Sequence, residues 1–83
     1  VEAIIELQVQ AAAENELVVT WPGGNAIERL AMHDLMGRTI LEQSIWPPAG
    51  QVRALLPSGS AAGIYVITAQ SGNKLAKVKW TRL

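Results

Sequence analysis

Few side chains in these 83 residues have the types and spacing to do chemistry. The single histidine, His33, stands beside Asp34. In an enzyme such a pair supplies a general base and the carboxylate that orients it, provided a nucleophile or metal lies next to them. Nothing marks either partner. Ser58, Ser60 and Ser71 fall in loop-like stretches without the nucleophile-elbow pattern. A metal site takes three or four ligands, and one histidine with scattered carboxylates and no cysteine does not make a set. Neighbouring residues on a strand also project to opposite faces, so His33 and Asp34 read as a strand-end side chain and a turn-starting aspartate. Gly59-Ser60-Ala61-Ala62-Gly63 has neither the lysine nor the spacing of a phosphate-binding loop and reads as a flexible crossover. The expectation is no catalysis, no cofactor and no metal.

Two further groups can bind rather than react. Trp21, Trp46 and Trp80 could stack on sugar rings if they were exposed together; a chain without phenylalanine also needs them for large-volume packing. The expectation is that Trp80 packs in the core and that Trp21 and Trp46, each followed by proline, lie over it. Lys74, Lys77 and Lys79 with Arg82 form a basic strip that reads either as the solvated side of an edge strand or as a charged docking surface.

The strip belongs to an uneven charge distribution. Seven basic and seven acidic residues give a net charge of zero, which argues against nucleic acid as a partner, because phosphate binding needs a basic surface. Yet the charges before Arg29 are all glutamates, at positions 2, 6, 14, 16 and 28, and those after Arg53 are all basic. End strands lying side by side would offset each other. The composition, 49% hydrophobic and 17% charged, is that of one folded domain. No apolar run approaches the ~20 residues of a membrane span, and no basic-then-apolar leader opens the chain. Val1 begins in mid-pattern, which reads as a piece of a longer protein.

The elements that must position these residues are strands. Glycine and proline recur at short intervals, and between them lie runs rich in Val, Ile, Leu and Thr, the signature of a sandwich or barrel. Seven runs stand out: 3–9, 16–21, 27–33, 38–45, 51–56, 64–70 and 74–81. The sixth is apolar on both faces, as a central strand would be. The seventh alternates Ala76, Val78 and Trp80 inward with Lys77 and Lys79 outward, and lysines there would guard a free edge. Tight hairpins are expected at Ala13-Glu14-Asn15, at Asp34-Leu35-Met36-Gly37 and at Ser71-Gly72-Asn73. Residues 45–50 and 57–63 look like looser crossings between sheets. Ala11-Ala12-Ala13 is too short to sustain a helix alone. The reading is a single seven-stranded antiparallel, immunoglobulin-like β-sandwich over residues 1–83.

Two segments carry a family resemblance. Leu30-Ala-Met-His-Asp-Leu-Met-Gly-Arg-Thr-Ile-Leu41 has a strand, a D-x-x-G-R turn and a returning strand. Gly63-Ile-Tyr-Val-Ile67, Ser71-Gly-Asn-Lys74 and Lys77-Val-Lys-Trp80 have a G-x-Y-x-V-like strand, a short turn and a basic, apolar last strand. In order and spacing these resemble the C-terminal sorting domains of cargo of the type IX secretion system in Bacteroidetes-type bacteria, over about residues 27–83. The chain departs from that pattern at His33, where an aromatic or hydroxyl residue is usual. It also departs after Leu56-Pro-Ser-Gly59, where Ser60-Ala-Ala-Gly63 lengthens the crossover.

The resemblance gives Asp34, Gly37, Arg38, Gly63 and Tyr65 structural roles. Asp34 would cap the turn, Gly37 would free its backbone, Gly63 would let the sixth strand enter closely packed, and Tyr65 would bond a neighbouring loop as in a tyrosine corner. It implies a non-catalytic secretion signal, carried through the periplasm behind an upstream cargo domain. The outer-membrane translocon would recognise it, and a surface sortase-like protease would remove it, often joining the cargo to anionic lipopolysaccharide at the cell surface or releasing it. Lys74, Lys77, Lys79, Arg82 and Leu83 are the candidate recognition residues, and a homodimer through edge strands is a further partnership. The alternatives are an adhesion or carbohydrate-binding sandwich, which requires two tryptophans exposed on one face, an enzyme around His33 and Asp34, and a structural spacer.

Overall fold

The structure, a computed structural model, describes residues 6–83. Each of the seven runs has its strand: β1 (Gln8–Ala13), β2 (Glu16–Thr20), β3 (Ile27–Asp34), β4 (Thr39–Ala49), β5 (Gln51–Leu55), β6 (Gly63–Ser71) and β7 (Lys74–Arg82). All pairings between strands are antiparallel. They build a three-stranded sheet in the order β1-β2-β5 and a four-stranded sheet in the order β4-β3-β6-β7. This is a seven-stranded immunoglobulin-like sandwich in which the fourth strand has joined the sheet of strands three, six and seven. The chain changes sheet after β2, at Gly50 between β4 and β5, and across residues 56–62.

Alternation places the core. Leu17 and Val19 of β2, Val52 and Ala54 of β5, Leu30 and Met32 of β3, Tyr65, Ile67 and Ala69 of β6, and Ala76 of β7 all point between the sheets and are buried, as a period of two requires. Ile27 is buried although it lies three residues before Leu30; the register between β3 and β4 shifts in that interval, between Ile27 and Arg29, so the alternation resets there. Connecting segments close the core with Leu7, Trp21 and Leu56.

The expected bounds need correction at β1 and at β4. The first strand runs from Gln8 to Ala13, so Ala11-Ala12-Ala13 is extended and the turn narrows to Glu14-Asn15; the first residues of the expected run, 3–5, lie outside the described part. Before β1, Glu6 forms a parallel bridge to Lys77, and the Leu7 N–H donates to the Lys77 carbonyl at 3.4 Å. The chain therefore touches β7 and then moves to the other sheet. Finally, residues 45–49 continue β4 instead of forming a loose crossing. That strand is the edge of its sheet, and residues 45–48 fall in the irregular stretch between the Arg29–Ser44 and Ile27–Ala49 pairs, so Pro47 and Pro48 interrupt no regular pair.

Candidate functional site

The turn between β3 and β4 is built around Asp34. Its Oδ1 accepts the backbone N–H groups of Met36 and Arg38, both at 2.9 Å, and its Oδ2 accepts Arg38 Nε at 2.8 Å. The backbone closes the same loop, with Gly37 N–H donating to the Asp34 carbonyl at 3.1 Å and Asp34 N–H to the Arg38 carbonyl at 3.0 Å. Gly37 takes φ +85°, which a side chain would oppose. Partial desolvation pushes the Asp34 carboxyl up, but the hydrogen bonds from Arg38, the Arg38 charge and the Met36 N–H outweigh it and hold the carboxyl below its ordinary value. Leu35 and Met36, between the two anchoring residues, face solvent.

Asp34 pairs with Tyr65 across β3 and β6, and Tyr65 pairs with Trp80 across β6 and β7. The two segments of the resemblance thus meet in one cross-strand row. The Tyr65 ring is buried and lies 6.1 Å from the Trp80 ring, tilted by 31°, inside the range of favourable aromatic pairs. Its hydroxyl donates to the Ala61 carbonyl in the preceding crossover, the tyrosine-corner arrangement expected. Gly63 works differently from expectation. A Cβ there would meet nothing within 4 Å, so close packing is not its role; it takes φ +145°, a conformation that favours glycine.

Asp34 directs both carboxylate oxygens into the turn, so it does not orient His33. His33 is paired with Thr39 and Val66 and, by alternation with buried Met32, belongs to the outer face of the sheet. Among the described residues no three of His, Cys, Asp and Glu are grouped to hold a metal ion.

Lys74, Lys77 and Lys79 are exposed on β7, which is an edge strand. Lys77 and Lys79 flank a surface cleft of ≈ 430 Å³ completed by Glu6, Val66 and Val78. The acidic start and basic end of the chain do lie together, through the Glu6–Lys77 bridge. Leu83 is fully exposed. Arg82 does not join this free strip. It is half-buried and donates to the Glu14 carbonyl at 3.2 Å and to Asn15 Oδ1 at 2.9 Å, tying the end of β7 to the β1–β2 turn of the opposite sheet. No local signal pairs Arg82 with Asn15, which lies 67 positions away. The Leu7 contact was equally hidden, since Leu7 alternates with its neighbours whichever sheet it joins.

The tryptophans separate. Trp21 is 1% exposed, at the heart of the core, while Trp46 is 89% exposed. The expectation that Trp46 lies over the core is overturned, because β4 continues through it with its side chain on the solvent side. Trp80 packs partly buried against the core. No known family model matches the chain, and no characterised protein matches it in sequence.

Proposed function

We propose that this domain is a non-catalytic sorting signal of the type IX kind. It would be carried behind an upstream cargo domain, recognised by an outer-membrane translocon and removed at the cell surface by a sortase-like protease. The observation that carries the reading is the Asp34–Tyr65–Trp80 row. The residues of the resemblance come from two segments far apart in sequence, and the fold joins them so that together they fix the β3–β4 turn, the β5–β6 crossover and the last strand relative to each other. A signal read after folding must be read by its surface, and this arrangement presents Leu35 and Met36 in the turn and Lys74, Lys77 and Lys79 on β7.

The glycan-binding alternative has less support, because of the three tryptophans only Trp46 stands on the surface. A homodimer joined β7 to β7 would set lysines against lysines, which is unfavourable across a strand pair. The test is export. Residues 1–83 are fused behind a periplasm-targeted fluorescent reporter in a bacterium with an intact type IX system, beside a copy lacking residues 74–83. The expected result is surface or medium fluorescence for the first and periplasmic retention for the second; retention of both, with the domain folded, would sink the reading.

A further inference from the structure

We propose that the β7 edge from Lys79 to Leu83 is a strand-docking edge. Its occupant is an extended segment of another protein, with an acid opposite Lys79 and apolar side chains toward the groove beside Trp80. The inference rests on the sorting reading for the origin of that partner; its chemistry is read from the edge itself.

The register of β7 on β6 is continuous from Ser71–Lys74 to Gly63–Arg82. In such a ladder the backbone groups of successive residues point alternately toward and away from the partner strand. The Lys77 carbonyl points away, since it accepts from Leu7. By alternation the N–H and C=O groups of Lys79 and Thr81 point off the same edge, and among the described residues nothing pairs with them there. The chain that bonds to this edge at Lys77 leaves it one residue later, when Gln8 pairs with Thr20 in the other sheet. The open stretch thus continues a strand contact that the molecule already makes.

Two features state what fits. On the outer face stand Lys77 and Lys79, and the residue bridged to Lys77 is an acid, Glu6. On the inner side a groove of ≈ 370 Å³ opens between β1 and β7, with Ala11, Ala13, Leu17 and Trp80 in its wall; the two alanines leave space that larger side chains would fill. Arg82, bonded across to Glu14 and Asn15, marks its lower end. A strand laid along Lys79 to Leu83 would put one set of side chains beside Lys79, Thr81 and Leu83 and the other into the groove, so it carries an acid opposite Lys79 and apolar side chains toward the groove. A second copy of β7 fails the first requirement.

The probe is a synthetic peptide of alternating glutamate and valine, titrated into the full chain while backbone amide exchange is followed by NMR. The Lys79 and Thr81 amides should slow tenfold or more. Thr81→Pro removes an N–H that points off the sheet, a position an edge strand tolerates. It should raise the Kd at least tenfold with the unfolding transition unchanged. Unprotected amides at Lys79 and Thr81, or equal affinity for Thr81→Pro and the parent, overturn the proposal. If Thr81→Pro does not fold, the double variant Lys77→Glu/Lys79→Glu decides. A switch of preference to a lysine–valine peptide supports the edge, and an unchanged preference overturns it. The export assay separates the two ideas. Export without peptide protection removes only the docking edge; protection without export removes the sorting reading and leaves the edge as a peptide-binding surface.

Discussion

Asp34 and Tyr65 act on their surroundings through a handful of atoms, and each can be tested alone. Tyr65→Phe deletes only the hydroxyl that donates to Ala61. The residue bearing that carbonyl is exposed, so water can replace the lost donor, and the loss should sit near the lower part of the ~0.5–1.5 kcal/mol of an ordinary hydrogen bond. Urea unfolding would read it as a lower midpoint with an unchanged slope. For Asp34 the sign follows from its carboxyl being held below its ordinary value. The unfolded chain then takes up the proton first on acidification, so the contribution of Asp34 is present above the ordinary aspartate pKa of about 3.9 and fades as pH falls through the lower folded value. The stability difference between the parent and Asp34→Asn should therefore be largest near neutrality and shrink below about pH 4. A difference that stayed constant down to pH 2 would show that the charge is not what holds the turn.

At the scale of elements, Gly63 allows a clean separation of backbone from packing. Gly63→Ala places a methyl in open space but on a φ of +145°, so a cost of about 1–3 kcal/mol would come from backbone strain alone. An unchanged midpoint in urea would mean that β6 starts without needing that conformation. Legibility in the sequence divides along a similar line. The strands were legible because burial alternates along them, and β6 and β7 gave the plainest patterns: one apolar on both faces, the other lysine-out and apolar-in. The Asp34 turn was legible because its bonds span four residues, whereas the Tyr65 corner was expected from the resemblance. What was not legible depends on the third dimension. The path of Leu7 between sheets, the Arg82–Asn15 tie and the exposure of Trp46 are set by which edges the sandwich leaves free, and no periodicity records that. Pro47-Pro48 misled for a related reason: prolines stop a regular central strand, but in an irregular stretch of an edge strand they interrupt no regular pair.

For the whole molecule, the exposed lysines and the fold should be separable. Replacing Lys74, Lys77 and Lys79 together by serine touches no core residue, so the thermal transition should move little, each surface change being within about 0.5 kcal/mol. Export of the fluorescent fusion should nonetheless fall severalfold if the strip is read; full export of a folded triple variant would move recognition to Leu35 and Met36. The route of the chain past β7 has a mechanical consequence as well. Glu6 and Leu7 meet β7 in parallel at Lys77, β1 runs from there toward the turn at Glu14 and Asn15, and Arg82 is fastened beside that same turn. A tension applied between the chain ahead of Glu6 and Leu83 is thus directed along the strands. The bonds between β1 and β2 lie across that direction and would yield together in shear, not one after another as in a zipper, making this small sandwich a grip that resists pulling from its two ends.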